Sequence, residues 1–522
     1  MLPELGTPSL WDVDEGVNAE CARAMREVGS PLIPIFNGEL RTAKPALLYW
    51  LQWLSYDLFG VNEWAARFPA VLCSIGSVLT VAALARRMYG PAVGIMAGLI
   101  LATTIEFVKL AHAATPDAPL IFFVCLTFFL TWTGHQNGSR AWLLTAPIPA
   151  GLAMLTKGPA YLGMVGLPIL LYFLWCGEWR RLLDRRVLTG FLILFAVAGP
   201  WYIAVTAETR GVWLKTFIGV DNVARFRESL EGHDGRPLYQ AYYLVCIAAF
   251  SMPWSVFLYG TFRGSLGRLR AADPRPERFL LGWFTVILVV TSVMSTKLPN
   301  YIATLYPPLA ILTARFLVGW RDGEAVPVWL MPTAAWLVAV TGVGIVAALL
   351  IVSGVVPVSG VRTYPDLRPF AGFGLILTAG GLGMVDFLRK GDRTGVIASL
   401  TAAVIVFVGL TASFPVVAFD RSKAPRELVR MSGAFDPDRD IRLASLDYTQ
   451  PSVTFYAQRD VERLASPQAA ADFLMTKRPG FLFLTAETWS RVAPLVESPV
   501  RIVARRFDLY RHQDVVVVSN QP

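Results

Sequence analysis

Charged side chains are scarce in this chain of 522 residues: Asp, Glu, Lys and Arg together make up 16%, against 54% apolar residues and a mean hydropathy of +0.50. That balance excludes an ordinary soluble domain or a disordered chain and indicates an integral membrane protein. Histidine is scarcer still. The four, His112, His135, His233 and His512, show no metal-ligand spacing, so a His-based metal centre is not expected. The five cysteines, Cys21, Cys73, Cys125, Cys176 and Cys246, include no CxxC pair, and four lie in apolar runs, which argues against a disulfide framework or a zinc site. Internal repeats and low-complexity runs are absent. The net charge of +9 is spread over short loops between apolar runs instead of forming a patch, so it reads as a topology signal and not as a nucleic-acid surface.

What is present begins with a long polar stretch, Leu10 to Pro45. Asp12, Asp14 and Glu15 open a predicted amphipathic helix in which Val17, Cys21, Ala24, Met25 and Val28 recur at helical spacing and Gly29 supplies a stop. Pro45 starts a second helix ending at Gly60, too short to span, whose Tyr49, Trp50, Trp53 and Tyr56 suit a membrane interface. Twelve spanning candidates follow. They lie near 65–85, 92–111, 118–133, 142–155, 161–175, 187–205, 238–259, 279–294, 301–318, 328–352, 370–387 and 396–413. From Asp420 the pattern turns to soluble alternation, with strands expected in IRLASLDY, GFLFLTA, ARRFDLYR and DVVVVSN and a helix in SPQAAADFLMTK. The expected architecture is an all-α polytopic membrane protein with a small α/β domain outside the membrane. Its parts are an outer segment 1–63, a bundle 64–414 with an outer loop 207–237, and a C-terminal domain 415–522.

Arg and Lys fix the orientation. Alternate loops carry Arg86 and Arg87, Arg140, Arg180 to Arg186, Arg263 to Arg278, Arg315 and Arg321, and Arg389 to Arg393, and belong in the cytoplasm. The Leu10 to Pro45 stretch, Glu208 to Pro237, the Lys297 turn and the C-terminal tail then face outward. With twelve spans the N-terminus would start outside with no helix to carry it there, so one upstream transmembrane helix is expected.

The outer groups admit two readings each. Asp12, Asp14 and Glu15 can cap the helix that follows, or one of them can act as a general base toward an attacking hydroxyl. Lys44, Lys157, Arg225 and Lys297 stand at outer ends of apolar segments, where a cation either snorkels or helps to bind a lipid phosphate. Asp117 in ATPDAPL is a helix cap or a second acidic site residue. If the anion is a phosphate carrying a sugar, a glycosyl transfer needs one base and no protein acid, because the neutralised phosphate leaves readily, and a single displacement inverts the anomeric carbon. A twelve-span transporter is the rival, with Glu106 and Lys109 its best support. An inactive lipid-binding relative is the third reading.

The motifs LWDVDEG, AKP, FGVNEWAARFPA, ATPDAPL, MLTKGP and TKLPNYIATLYPPLAIL, in this order from Leu10 to Leu312, closely resemble the GT-C superfamily, specifically its aminoarabinose transferase and protein O-mannosyltransferase group. The resemblance implies a GT-C bundle of thirteen spans in a bacterial inner membrane. It implies transfer of a sugar from a polyprenyl phosphate to a lipid, glycan or protein acceptor on the periplasmic face. By the same resemblance Asp14 is the catalytic aspartate with Glu15 beside it, Lys44, Lys157 and Arg225 bind phosphate, and Asp117 and Tyr301 are site residues. This chain departs from the group at Val17, Asn18, Ala43 and Asn222; the last two replace potential metal ligands, so no zinc is expected. A loosely held divalent cation stays open.

Overall fold

The computed structural model describes residues 4–224, 228, 239, 241–435 and 440–521. Helix α1 (Asp14–Val28) carries Asp14 and Glu15 in its first turn and ends where Gly29 turns left-handed at φ 70°. Its buried face, Ala19, Cys21, Ala22 and Met25, packs against Tyr49 and Tyr56 of α2 (Leu47–Phe59), and the Tyr56 hydroxyl donates to the Ala19 carbonyl at 3.1 Å. A two-stranded hairpin, β1 (Ile35–Phe36) with β2 (Glu39–Leu40), joins them.

The bundle starts with α3 (Glu63–Tyr89), capped by the Asn62 side chain on the Ala65 N–H. Where one span 92–111 was expected, α4 (Pro91–Ala102) and α5 (Ile105–Ala111) meet at a 67° bend. Thr103 and Thr104 sit at the break and turn their hydroxyls back onto the Leu99 and Ile100 carbonyls, competing with the helical ladder. Next come α6 (Asp117–Gln136), α7 (Trp142–Thr145), α8 (Pro147–Lys157), α9 (Ala160–Trp175) and α10 (Arg186–Glu208). The expected span 238–259 is likewise two helices, Tyr242–Phe250 and Trp254–Arg268, crossing at 112°. Five long helices follow: Arg275–Val293, Pro299–Arg321, Leu330–Val352, Pro365–Arg389 and Arg393–Asp420.

Helix length and composition alone mark fewer spans than the twelve expected from hydropathy. Among the described residues eight helices are long and apolar enough to cross a membrane, ten if each bent pair counts once. The 16 residues of α9 reach only roughly 24 Å at 1.5 Å each, short of a hydrocarbon core of roughly 30 Å. Pro299–Arg321 is almost wholly buried and forms the axis of the bundle. Aromatic packing holds the surrounding helices; the Phe128 and Trp283 rings, for example, stack with centroids 3.9 Å apart.

The C-terminal region is a mixed five-stranded sheet in the order β4-β3-β5-β7-β6. Strand β3 (Arg442–Leu446) lies parallel to β4 (Val461–Arg463) and β5 (Gly480–Thr485), and β7 (Gln513–Ser519) is antiparallel to β5 and to β6 (Arg501–Asp508). The four expected strands are found. The short β4, and the helix Pro451–Ala457 ahead of it, had no alternating pattern to betray them.

Candidate active site

A cavity of about 690 Å³ opens where the start of α1, the broken helix α5, the first turn of α6, the Pro299 turn and the end of Arg393–Ser413 converge. Asp12, Asp14, Glu15 and Asp117 all line it, and each is handled differently. The Asp14 carboxylate is exposed and makes no hydrogen bond or ion pair among the described residues, so it is available to a ligand.

Glu15 is the opposite case. It is buried, and it accepts from the Trp11 N–H at 2.8 Å, the Ala114 N–H at 2.6 Å and both Nε (2.9 Å) and one terminal nitrogen (2.7 Å) of Arg67. Burial alone would raise its pKa, but the Arg67 charge and these bonds hold it below the ordinary carboxylate range. Its carboxylate oxygens are engaged within the fold by Trp11, Ala114 and Arg67, while the residue still lines the cavity.

Asp12 ties the site to the C-terminal sheet. Its carboxylate accepts from the Ser452 N–H at 2.9 Å and from the Ser452 hydroxyl, and its own N–H donates to the Tyr510 hydroxyl at 3.0 Å. Leu10 N–H donates to Tyr456, and Lys423 donates to the Ser9 carbonyl at 2.7 Å with its ammonium 4.2 Å from the Trp11 ring centroid. The segment leading to Asp14 is thus held residue by residue from residues 423–510. Burial pushes the Asp12 pKa up to about 7, against the opposing pull of Ser452. Because the folded pKa lies above the unfolded value, the carboxyl stabilises the docked state in its protonated form, and that contribution is lost as pH rises through about 7. Thermal unfolding followed across that range should show falling stability with rising pH, and the trend should flatten in Asp12→Asn.

Asp117 opens α6 and is buried. Its Oδ1 lies 2.6 Å from Lys157 Nζ, and the Asn300 amide donates to both oxygens at 3.3 and 3.4 Å. Lys157 ends α8, where Gly158 at φ 111° takes the chain away. Its ammonium stands 5.6 Å from the Tyr161 and Tyr301 ring centroids, within cation–π range of both. Lys44, half-buried just ahead of α2, is close enough to act on Asp117 electrostatically.

One expected residue stands apart from this group. Lys297 is buried, donates to the Ser292 and Met294 carbonyls at 2.5 and 2.6 Å, and faces the Tyr239 and Tyr243 rings. Burial lowers its pKa, and its ammonium caps the end of Arg275–Val293, outside the cavity lining. Arg225 lies outside the described residues. Sequence reading missed Asn300, beside the Tyr301 it did name, and Arg67, whose signal was a lone arginine one turn into an apolar helix. Among the described residues no three His, Cys, Asp or Glu side chains converge on a metal position.

A family model described as dolichyl-phosphate-mannose-protein mannosyltransferase matches residues 43–203. The undecaprenyl phosphate-α-4-amino-4-deoxy-L-arabinose arabinosyl transferase of Edwardsiella ictaluri is 29% identical over 354 residues, 66% of this chain and 61% of that protein. Its Pseudomonas aeruginosa counterpart is 31% identical over 326 residues, 61% of this chain and 57% of the relative. The chain thus spans about three fifths of the length of the curated relatives it matches. In structure, ArnT from Cupriavidus metallidurans bound to undecaprenyl phosphate superposes with a TM-score of 0.82 over 99% of this chain and 95% of that one. Identity there is 21%, so this likeness is one of fold.

Proposed function

We propose that this multi-pass membrane protein, GT-C in fold and ArnT-like in sequence, transfers a pentose or hexose from a polyprenyl phosphate to a lipid, glycan or protein acceptor on the periplasmic face of a bacterial inner membrane. One observation carries the reading: Asp14, without a hydrogen-bond or ion-pair partner among the described residues, and the Lys157-bound Asp117 line the same cavity. Asp14 takes the proton of the acceptor hydroxyl as its oxygen attacks the anomeric carbon. The bond from that carbon to the phosphate oxygen breaks, and the electron pair leaves with the phosphate. Lys44 and Lys157, with Arg225 by family resemblance, neutralise the departing charge, while Asp117 and Tyr301 hold the Lys157 ammonium in place. Inversion at the anomeric carbon follows from the single displacement.

The names of the relatives supply undecaprenyl phosphate as the model for the lipid half of the donor. The transporter alternative gains nothing from these comparisons, since the relatives with a described activity are glycosyltransferases. The test is release of free polyprenyl phosphate from a panel of polyprenyl-phosphate sugars, with and without extracted envelope acceptors. Acceptor-dependent release supports the reading; binding of every donor with release from none refutes it. Lys44→Gln should weaken polyprenyl phosphate binding by about 10- to 100-fold, the worth of one charge-assisted hydrogen bond at about 1.5–3 kcal/mol. Flotation with liposomes carrying the lipid measures it.

A further inference from the structure

A second cavity, of about 400 Å³, stands back to back with the one that holds Asp14. Thr7, Ser9 and Val417 line it, while their neighbours Pro8, Trp11 and Val416 line the first, so the segment leading to Asp14 and the end of the last span form a common wall. The rest of its lining is charged: Arg421, Lys423, Arg426 and Arg506, with Asp420 and Glu427.

Some of these charges belong to the fold. Asp420 is buried, and its oxygens accept from the Ser9 N–H at 2.9 Å, the Ser9 hydroxyl at 2.6 Å, Lys423 at 2.7 Å and Arg426 at 2.8 Å. Lys423 also donates to the Ser9 carbonyl, and Arg426 to the Thr7 carbonyl at 2.9 Å and Glu63 at 3.0 Å. These three tie residues 420–426 to the N-terminal segment and to α3. Arg421 and Arg506 differ. The Arg506 guanidinium, 48% exposed, makes no hydrogen bond among the described residues and meets the Glu427 carboxylate only at 3.9 Å. Arg421, 74% exposed, has a single 3.4 Å contact with Asp366. Contacts this long are weak or are not hydrogen bonds, and exposed ion pairs contribute little to folding.

Charge and place select the ligand. Glu63 and Asp366 reach the cluster from outside the lining, as does Arg430 beside Glu427, so five cations face four carboxylates. A net positive cluster with open N–H donors on two planar forks fits the oxygens of a phosphate. Arg421 directly follows the span Arg393–Asp420, whose other end carries Arg389, Lys390 and Arg393. Topology asks for cations at one end of a span, so the second group needs another reason. The end of a span lies at the depth of lipid headgroups, and Phe414, 51% exposed and about two turns before Arg421, continues the surface toward the acyl chains.

We propose that Arg421 and Arg506, backed by Arg426, bind the phosphate of an anionic membrane lipid in this cavity. The site is separate from the cavity of Asp14 and Asp117 and independent of the transferase reading. Its occupant rests against the segment that leads to Asp14.

The test is native mass spectrometry of the full chain released from dodecyl maltoside and titrated with dioleoyl phosphatidylglycerol or dioleoyl phosphatidylcholine. The first phosphatidylglycerol should bind about fivefold or more tightly than the first phosphatidylcholine. Arg421→Gln and Arg506→Gln should each weaken it about tenfold, the worth of one charge-assisted hydrogen bond. Arg389→Gln, at the opposite end of the bundle, should leave it unchanged. Thermal unfolding without added lipid should not move in either variant, since neither arginine has a close partner. Should Arg421→Gln unfold early, Arg421→Lys keeps the charge, loses the fork and should still bind the lipid less tightly than the wild type. Equal affinity for the two lipids, or phosphatidylglycerol binding indifferent to both substitutions, would overturn the proposal. In the second case, protection of the wild type against heat by inorganic phosphate, lost in both variants, would assign the cavity to a free phosphate instead.

Discussion

Replacing Asp14 with asparagine is expected to cut transfer by about 10²- to 10⁴-fold, the usual worth of a positioned general base, while leaving thermal unfolding almost unmoved. The second half of that expectation follows from the structure. Asp14 is exposed and unpaired among the described residues, so the only contribution it makes to the fold is its charge in the first turn of α1, about 0.3–1 kcal/mol. Asp117→Asn should behave differently, because it leaves the nearly buried Lys157 ammonium without its 2.6 Å partner and lowers stability and activity together. Polyprenyl phosphate release and a thermal shift measured on the same preparations separate the two cases. Wild-type turnover in Asp14→Asn would remove the base from the proposed mechanism and with it the reason for assigning chemistry to this cavity.

The sequence showed which apolar segments exist and where the acids and cations gather, because hydropathy and charge placement are local signals. It did not show how the segments break. Thr103 and Thr104 look unremarkable in an apolar run, and only their hydroxyl bonds to the preceding turn reveal the bend after which Lys109 lines the cavity. Three adjacent carboxylates were likewise indistinguishable by pattern. In the fold Asp12 turns to Ser452, Glu15 to Arg67 and Asp14 to the cavity, and two of these three partnerships join residues more than 50 positions apart. Lys297 illustrates the converse. A lysine at the outer end of an apolar segment fits a phosphate site by position, yet three carbonyls at the end of its own preceding helix lie within its reach.

The largest stability effect is expected at Arg67. All five of its N–H groups are engaged: Nε and one terminal hydrogen on Glu15, and the others on the carbonyls of Leu5, Pro8 and Ser9 at 2.7–2.9 Å. The guanidinium therefore pins the whole approach to Asp14 to the first turns of α3, and both partners of the ion pair are buried. Arg67→Met deletes those bonds and leaves the Glu15 charge buried beside apolar atoms, a change of about 3–5 kcal/mol. Arg67→Lys recovers little, since a single ammonium cannot span a carboxylate and three carbonyls as the planar fork does. Glu15→Gln keeps the shape but removes the charge, and should be intermediate in stability. In all three variants a loss of activity should track the fraction unfolded, whereas Asp14→Asn is inactive while folded. Chemical denaturation in detergent, read by the fluorescence of the Trp11 neighbourhood, gives the ordering. If Arg67→Met unfolds like the wild type and still loses transfer, then Arg67 acts on substrate, and the division of labour between Glu15 as clamp and Asp14 as base has to be redrawn.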